Sequence, residues 1–343
     1  MSDFLWTVIF CPQARFLLFP QQAGCANMPC MFNHDRWEMK DYPRLFLVSD
    51  HARFGITRHS LYHSNRYPSV LPGVRMDQQT LERHPTPLWA DQDWKWDALR
   101  LRAASLRYSN IAASHATAAR LFGWPLPPNL MTSQLHLSTG DKSARIRHQQ
   151  ITLHRPTQMS SMRWLDLPIL AAEDVFIGIG PDLLLRDLVM LGDAAVGNWH
   201  GSPQISLPTL QQAVRSRSRL RRGDHLLAAL DLIRSTVDSP AETNLRLWTR
   251  AVGLPEPIVH PRVFCRLLNR EVEPDLGYPD EKLALEYEGE HHLRSKKQWN
   301  SDIDRDEGMR NEGWTVIKVT SRTDYGLLEA KIRHHLGLSR ARW

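Results

Sequence analysis

Asp275-Leu276-Gly277-Tyr278-Pro279-Asp280-Glu281-Lys282-Leu283-Ala284-Leu285-Glu286-Tyr287-Glu288 is the stretch that decides how the chain is read. Tyr278 to Lys282 has turn composition, and Lys282 to Glu288 alternates like a strand. A turn centred between Asp280 and Glu281 sets Asp275 directly across from Glu286. Side chains alternate along a strand, so Glu286 and Glu288 share one face and Leu283, Leu285 and Tyr287 share the other. Three carboxylates then crowd one spot, with facing Cβ atoms about 5 Å apart. Like charges so placed destabilise a sheet unless something positive lies between them. The expected guest is a divalent metal.

The flanking sequence supplies the rest of a domain over residues 238–343. Ser239-Pro240-Ala241-Glu242 opens a helix, with Ser at the cap, Pro in the first turn and an acid behind it. Leu245, Leu247, Trp248 and Val252 give that helix an apolar side, and Gly253-Leu254-Pro255 stops it. Ile258 to Leu268 reads as extended chain. A polar helix follows the hairpin from about Lys296 to Glu312, then the β-branched strand Trp314 to Thr320. A last helix carries Leu327, Leu328, Ile332 and Leu336. The expected order is α-β-β-β-α-β-α.

Upstream the signals are weaker. In residues 41–78, Leu45, Phe46, Val48, Ala52 and Phe54 recur roughly at helical spacing. A turn, a second helix from His59 and a hairpin over 66–75 follow, which is winged-helix order or that of a generic α+β cap. Arg58, His59 and Arg66 make one side of it basic and suited to phosphate contact. Residues 85–97 read as a connector, and 98–232 as an α+β middle domain. That domain has a helix over 98–125, strands within 134–155, and helices over 181–197 and 206–232. Arg215, Arg219 and Arg222 belong to a basic run that is either a solvated face or a nucleic-acid contact. Residues 1–40 are expected to be a poorly ordered extension.

The 343 residues carry a formal charge of +6 and are 42% apolar. The mild basicity suits a polyanion, and the apolar share is enough for real cores. Four cysteines without a CxxC pair exclude a zinc ribbon and a disulfide framework, so a cytoplasmic setting is expected. The apolar run Phe4 to Cys11 is too short to span a bilayer, and no membrane partner is expected.

The element order and its acids resemble the PD-(D/E)XK nuclease superfamily. The closer resemblance is to the Vsr-like (very-short-patch-repair-like) endonuclease domains common in actinobacteria. It rests on Ser239-Pro240-Ala241-Glu242, Gly253-Leu254-Pro255-Glu256-Pro257, Glu286-Tyr287-Glu288-Gly289, His292, Gln298, Asp302, Arg305 and Gly313-Trp314-Thr315-Val316-Ile317. Further upstream, Ser114 to Gly123 resembles the middle region of such proteins, and 41–78 resembles the winged helix of AbiEi-type antitoxins. The implied fold is an α/β, restriction-endonuclease-like αβββαβ core preceded by an α+β winged-helix-like region. The implied activity is metal-dependent hydrolysis of DNA. Where the superfamily usually carries Lys, this chain has Glu288.

Phosphodiester hydrolysis needs a water nucleophile, charge relief on phosphate and help for the leaving oxygen, which Mg²⁺ or Mn²⁺ can supply. Asp275 and Glu286 are the expected metal ligands, joined by the Tyr287 carbonyl, with Glu288 on a second ion or orienting water. Glu242 reaches the site through water or merely favours a helix N-terminus. His292 is a general acid, a phosphate contact or an ordinary surface histidine. Gln298, Asp302 and Arg305 fall at i, i+4 and i+7 on one helix face. That face either holds phosphate or is a solvated, salt-bridged surface. The alternative to an enzyme is a non-catalytic, antitoxin-type DNA-binding regulator with a degenerate nuclease domain, whose protein partner would be a toxin or a second copy of the chain.

Overall fold

The computed structural model describes residues 44–83, 86–288 and 296–338. The expectations for residues 1–40 and for His292 lie outside these. The N-terminal section holds β1 (Leu45–Leu47), a short 3-10 helix at Val48–Phe54, α1 (Arg58–His63), β2 (Ser69–Leu71) and β3 (Val74–Met76). Its sheet has the order β1-β3-β2. The first expected helix is therefore a strand followed by a 3-10 turn. Leu45 and Phe46 point to opposite faces of the sheet, and both faces are covered. Leu45 joins the large core shared with the middle section, while Phe46 packs with Ile56, Leu61 and Tyr67. Consecutive buried residues blurred the period.

The middle section comprises α2 (Gln92–Arg107), β4 (Ile111–Ala113), α3 (His115–Phe122), β5 (Leu135–Thr139), β6 (Ile151–His154), β7 (Ser161–Trp164), β8 (Leu167–Leu170), α4 (Ala172–Ile179), α5 (Leu185–Val196), α6 (Leu207–Arg215) and α7 (Gly223–Leu232). Its five-stranded sheet runs β6-β5-β4-β8-β7. The expected connector contains the start of α2, because the Asp91 carboxylate accepts from the Trp94 N–H at 2.8 Å and caps the helix. The expected helix over 98–125 is broken by β4. The expected helix over 206–232 is broken at 216–222, where Arg219 and Arg222 take left-handed φ of 59° and 49°. The basic run thus lies mostly in a turn and not along a helix face.

The C-terminal section has α8 (Pro240–Ala251), β9 (Ile258–Val259), β10 (Val263–Cys265), β11 (Arg270–Val272), β12 (Leu276–Tyr278), β13 (Leu283–Tyr287), α9 (Lys296–Asn311), β14 (Thr315–Val319) and α10 (Tyr325–His335). The sheet order is β14-β13-β12-β9, with β13 and β14 parallel and the other pairs antiparallel. The β10–β11 hairpin is an insertion that the sequence reading did not separate. Without it the order is the expected α-β-β-β-α-β-α. One face of the sheet packs Leu276, Leu283 and Leu285 against Leu245, Leu328 and Ile332 of α8 and α10. The other face sets Ala284 against Met309, Trp314 and the inserted hairpin.

Two features anchor this sheet. Gly277 has no room for a side chain, since a Cβ there would lie 2.9 Å from the Pro261 ring and 3.0 Å from the Leu283 carbonyl. Gly277→Ala is expected to cost about 1–3 kcal/mol as an overpacking change, read as a lower denaturant midpoint. The second feature is a buried ion pair between α5 and α8. Asp193 accepts from Arg246 at 3.0 Å, from the Thr243 hydroxyl at 2.8 Å and from the Arg234 N–H at 2.7 Å. No helix among the described residues is long and apolar enough to cross a membrane.

Candidate metal and phosphate site

The hairpin adopts the register its turn dictates. Leu276 pairs with Leu285, Gly277 with Ala284 and Tyr278 with Leu283. One further step of that ladder sets Asp275 opposite Glu286. Leu276 also pairs with Val259, so one step further sets His260 opposite Asp275, and the His260 N–H donates to the Asp275 carbonyl at 3.1 Å. On the other side Glu286 pairs with Lys318 of β14. Each of four adjacent strands, at or just beyond its end, thus contributes one chemically active residue to a single row: His260, Asp275, Glu286 and Lys318.

The positive charge expected between the acids comes from the protein itself. Glu286 is buried, and its carboxylate accepts from Arg305 at 2.6 Å and from Lys318 at 2.9 Å. The same ammonium lies 3.3 Å from Glu288 and 2.9 Å from Asp306. Burial pulls the Lys318 amine down, but its bonds to Asp306 and Glu286 outweigh that and hold it above its usual value. An ammonium from the neighbouring strand thus stands beside Glu286 and Glu288. Arg305 and Lys318 meet part of the charge that the sequence reading assigned to a metal.

The donor atoms that converge are those of Glu242, His260 and Asp275, all within 4.8 Å of one another. Glu242 has two roles in the structure. It completes a capping box, accepting from Ser239 Oγ at 2.7 Å and the Asp238 N–H at 3.0 Å, and it faces His260 Nε2 at 3.1 Å. Its bond to Glu242 raises the pKa of His260. Burial would raise the Glu242 carboxyl, but the bonds from His260, Asp238 and Ser239 hold it below its usual value. Burial first, with Glu242 and Glu286 adding to it, pushes Asp275 up to about 6 against the pull of the Tyr287 N–H at 2.7 Å. A crowded acid of this kind gains from a cation. Two carboxylates and an imidazole are a donor set that could hold a metal ion, and the imidazole nitrogen would suit Mn²⁺ better than Mg²⁺.

Tyr287 meets Asp275 through its N–H, whereas the sequence reading invoked its carbonyl. Arg305 uses Nη2 for both the Glu286 carboxylate and the Glu273 carbonyl, the latter at 2.8 Å, while its Nε is buried without a hydrogen-bond partner among the described residues. Gln298 and Asp302 lie on α9, but their side chains are outside the described residues. Of the basic residues upstream, Arg66 makes a two-bond pair with buried Asp77 at 3.0 and 2.9 Å, so it braces the hairpin. Arg222 donates to the Pro181 carbonyl at 2.8 Å. Arg217 and Arg221 of the same run pair with Asp174 and Asp182. Arg58, His59, Arg215 and Arg219 stay exposed. Sequence reasoning missed His260 and Lys318. The only signal for either was its place one residue from, or inside, an expected strand.

No protein-family model matches the chain, and no curated protein is significantly similar to it. Among solved structures, the crystal structure of RV2827C protein from Mycobacterium tuberculosis is similar at 14% identity and a TM-score of 0.37. The match covers 64% of this chain and 83% of that one. At that distance the likeness says nothing about the site.

Proposed function

We propose that the C-terminal section is a metal-dependent phosphodiesterase that cleaves DNA. The observation that carries this reading is the row of His260, Asp275, Glu286 and Lys318 across four strands, with Glu242 beside it. Glu242, His260 and Asp275 would hold the ion. When bound, it would polarise the phosphate and make water a better nucleophile. Lys318 remains protonated, so it serves as a fixed positive charge for the phosphate and not as a base. Glu286 and Glu288 hold that ammonium in place. Arg58, His59, Arg215 and Arg219 offer exposed charge for the DNA backbone.

Mn²⁺ binding measured by calorimetry tests the premise. Asp275→Ala is expected to weaken it by at least about 100-fold, since even the partners of metal ligands are worth about 10–100-fold. Equal binding by the two proteins would overturn the reading, as would DNA cleavage that persists in excess chelator. One observation favours the regulator alternative: both oxygens of Glu286 are already satisfied by Arg305 and Lys318. Tight, metal-independent binding to DNA upstream of the chain's own gene, with no cleavage, would select it. A toxin would then be the protein partner.

A further inference from the structure

The middle section encloses a cavity of about 310 Å³, formed where the start of α2 meets the segment that follows α3. Trp94 and Trp124 line it and are each only 3% exposed. Their N–H groups are already committed, Trp94 to the Leu121 carbonyl at 3.0 Å and Trp124 to the Gln204 side chain at 2.9 Å. They therefore offer the cavity ring surface and no hydrogen bond. Trp89 stands at 83° to Trp94 with ring centroids 6.1 Å apart, so the two indoles make a corner. His200 stacks on Trp89 with centroids 4.6 Å apart and closes that side. Gly123 lets these rings come so close. Its φ of 78° ends α3, and a Cβ there would lie 2.5 Å from His200 and 3.0 Å from Trp89.

The mouth of the cavity is acidic. Asp91 and Asp93 line it and are exposed, and neither forms an ion pair among the described residues. Arg120 lines it too, but its Nε donates to the Asp97 carboxylate at 2.5 Å, so its charge is offset. Burial raises the Asp97 carboxyl against the pull of Arg120, and Asp93 adds to that rise. The negative charge of Asp93 is thus felt inside the wall. An anion or a nucleotide would meet two carboxylates on entry. A sugar would find ring carbon in the floor where its hydroxyls need partners. The complement of ring surface below and carboxylates at the mouth is a cation that spreads its charge over methyl groups. Such a cation costs little to desolvate and is drawn to the negative face of an aromatic ring.

We propose that this cavity binds a small quaternary ammonium ion, with its methyl groups against the indoles of Trp89, Trp94 and Trp124 and its charge met at the mouth by Asp91 and Asp93. A cavity of about 310 Å³ suits a head group of that size. The ring quadrupoles attract the cation, and the dry indole floor strengthens that attraction. A primary amine fits less well, because its N–H groups would lose water and find no acceptor in the floor. The cavity shares no residue with the nuclease-like row, so its occupancy does not depend on phosphodiesterase activity.

The test is calorimetric titration of the full chain with choline and with its uncharged analogue, in which carbon replaces the nitrogen. Choline is expected to bind at least about tenfold more tightly, the difference that a desolvated cation–π contact makes. Trp89→Leu keeps an apolar side chain but removes the ring, and it should lose most of that difference. Asp93→Asn should weaken choline and leave the analogue unchanged, a split that a loss of folding would not produce. Equal binding of the two probes would overturn the site, as would undiminished choline affinity in Trp89→Leu. Proton spectra of choline with the unsubstituted protein are independent of how the variants fold. The N-methyl signal should move upfield, because protons over a ring face are shielded, and an unmoved signal would also sink the site.

Discussion

Lys318→Met is expected to lower the rate of Mn²⁺-dependent DNA cleavage by about 10²–10³-fold, the usual loss when one preorganised charge at a transition state is removed. The same substitution should leave Mn²⁺ affinity unchanged or slightly higher, because it removes a cation from beside the acids. That split separates Lys318 from the ligands, whose loss weakens the ion first. It also separates the enzyme from the regulator. In a closed network Lys318 serves only to neutralise Glu286, Glu288 and Asp306, and its removal would appear as lost stability. Lys318→Arg is the discriminating control. It keeps the charge but not the point geometry, so it should restore folding fully and cleavage only in part. Wild-type rates in Lys318→Met would remove the lysine from the mechanism.

The register of the acidic hairpin was legible because it depends on a turn and on alternation, both local. Ser239 and Glu242 were legible for the same reason: the capping box spans four residues. Lys318 was not. It reaches Glu286 through a parallel pairing that crosses α9, and nothing local says which strand lies beside β13. His260 was hidden by a similar dependence, since only the β9–β12 ladder brings it to Asp275. The sequence argument therefore found the crowded acids but assigned their neutralisation to a metal, when two cations from distant segments already supply part of it.

Arg66 shows what a local reading leaves out. A basic residue near a short helix suggested phosphate, but its carboxylate partner stands eleven positions on, across β2 and β3. Arg217 and Arg221 were diverted likewise, to Asp174 and Asp182, which lie about forty positions upstream. Counting basic residues overstates a nucleic-acid surface whenever acids are scattered through the same fold. Arg58, Arg215 and Arg219 stay exposed.

Asp193→Ala is expected to destabilise the protein by about 3–5 kcal/mol, the cost of removing one member of a buried pair, since Arg246 then keeps only the partly buried Glu256, at 3.2 Å. Arg246 and Asp193 have side chains only 1% and 0% exposed, so water cannot replace the missing carboxylate. Burial already works against this pair. It pushes the Asp193 carboxyl up to about 6 despite Arg246, Thr243 and the Arg234 N–H. Desolvation therefore works against the pair, whose bonds fix where α8 docks. Two consequences follow from that balance. The double variant Asp193→Leu/Arg246→Met should recover part of the loss, seen as a coupling energy between the two sites in urea denaturation. Strictly additive losses would show that the pair is not the cause. The second consequence is functional. α8 carries Glu242, four residues before Arg246, so a shifted helix withdraws one donor from the metal seat. Under conditions where Asp193→Ala is still folded, its Mn²⁺ affinity should fall more than that of Gly277→Ala, which strains the sheet but leaves the α8 anchor intact.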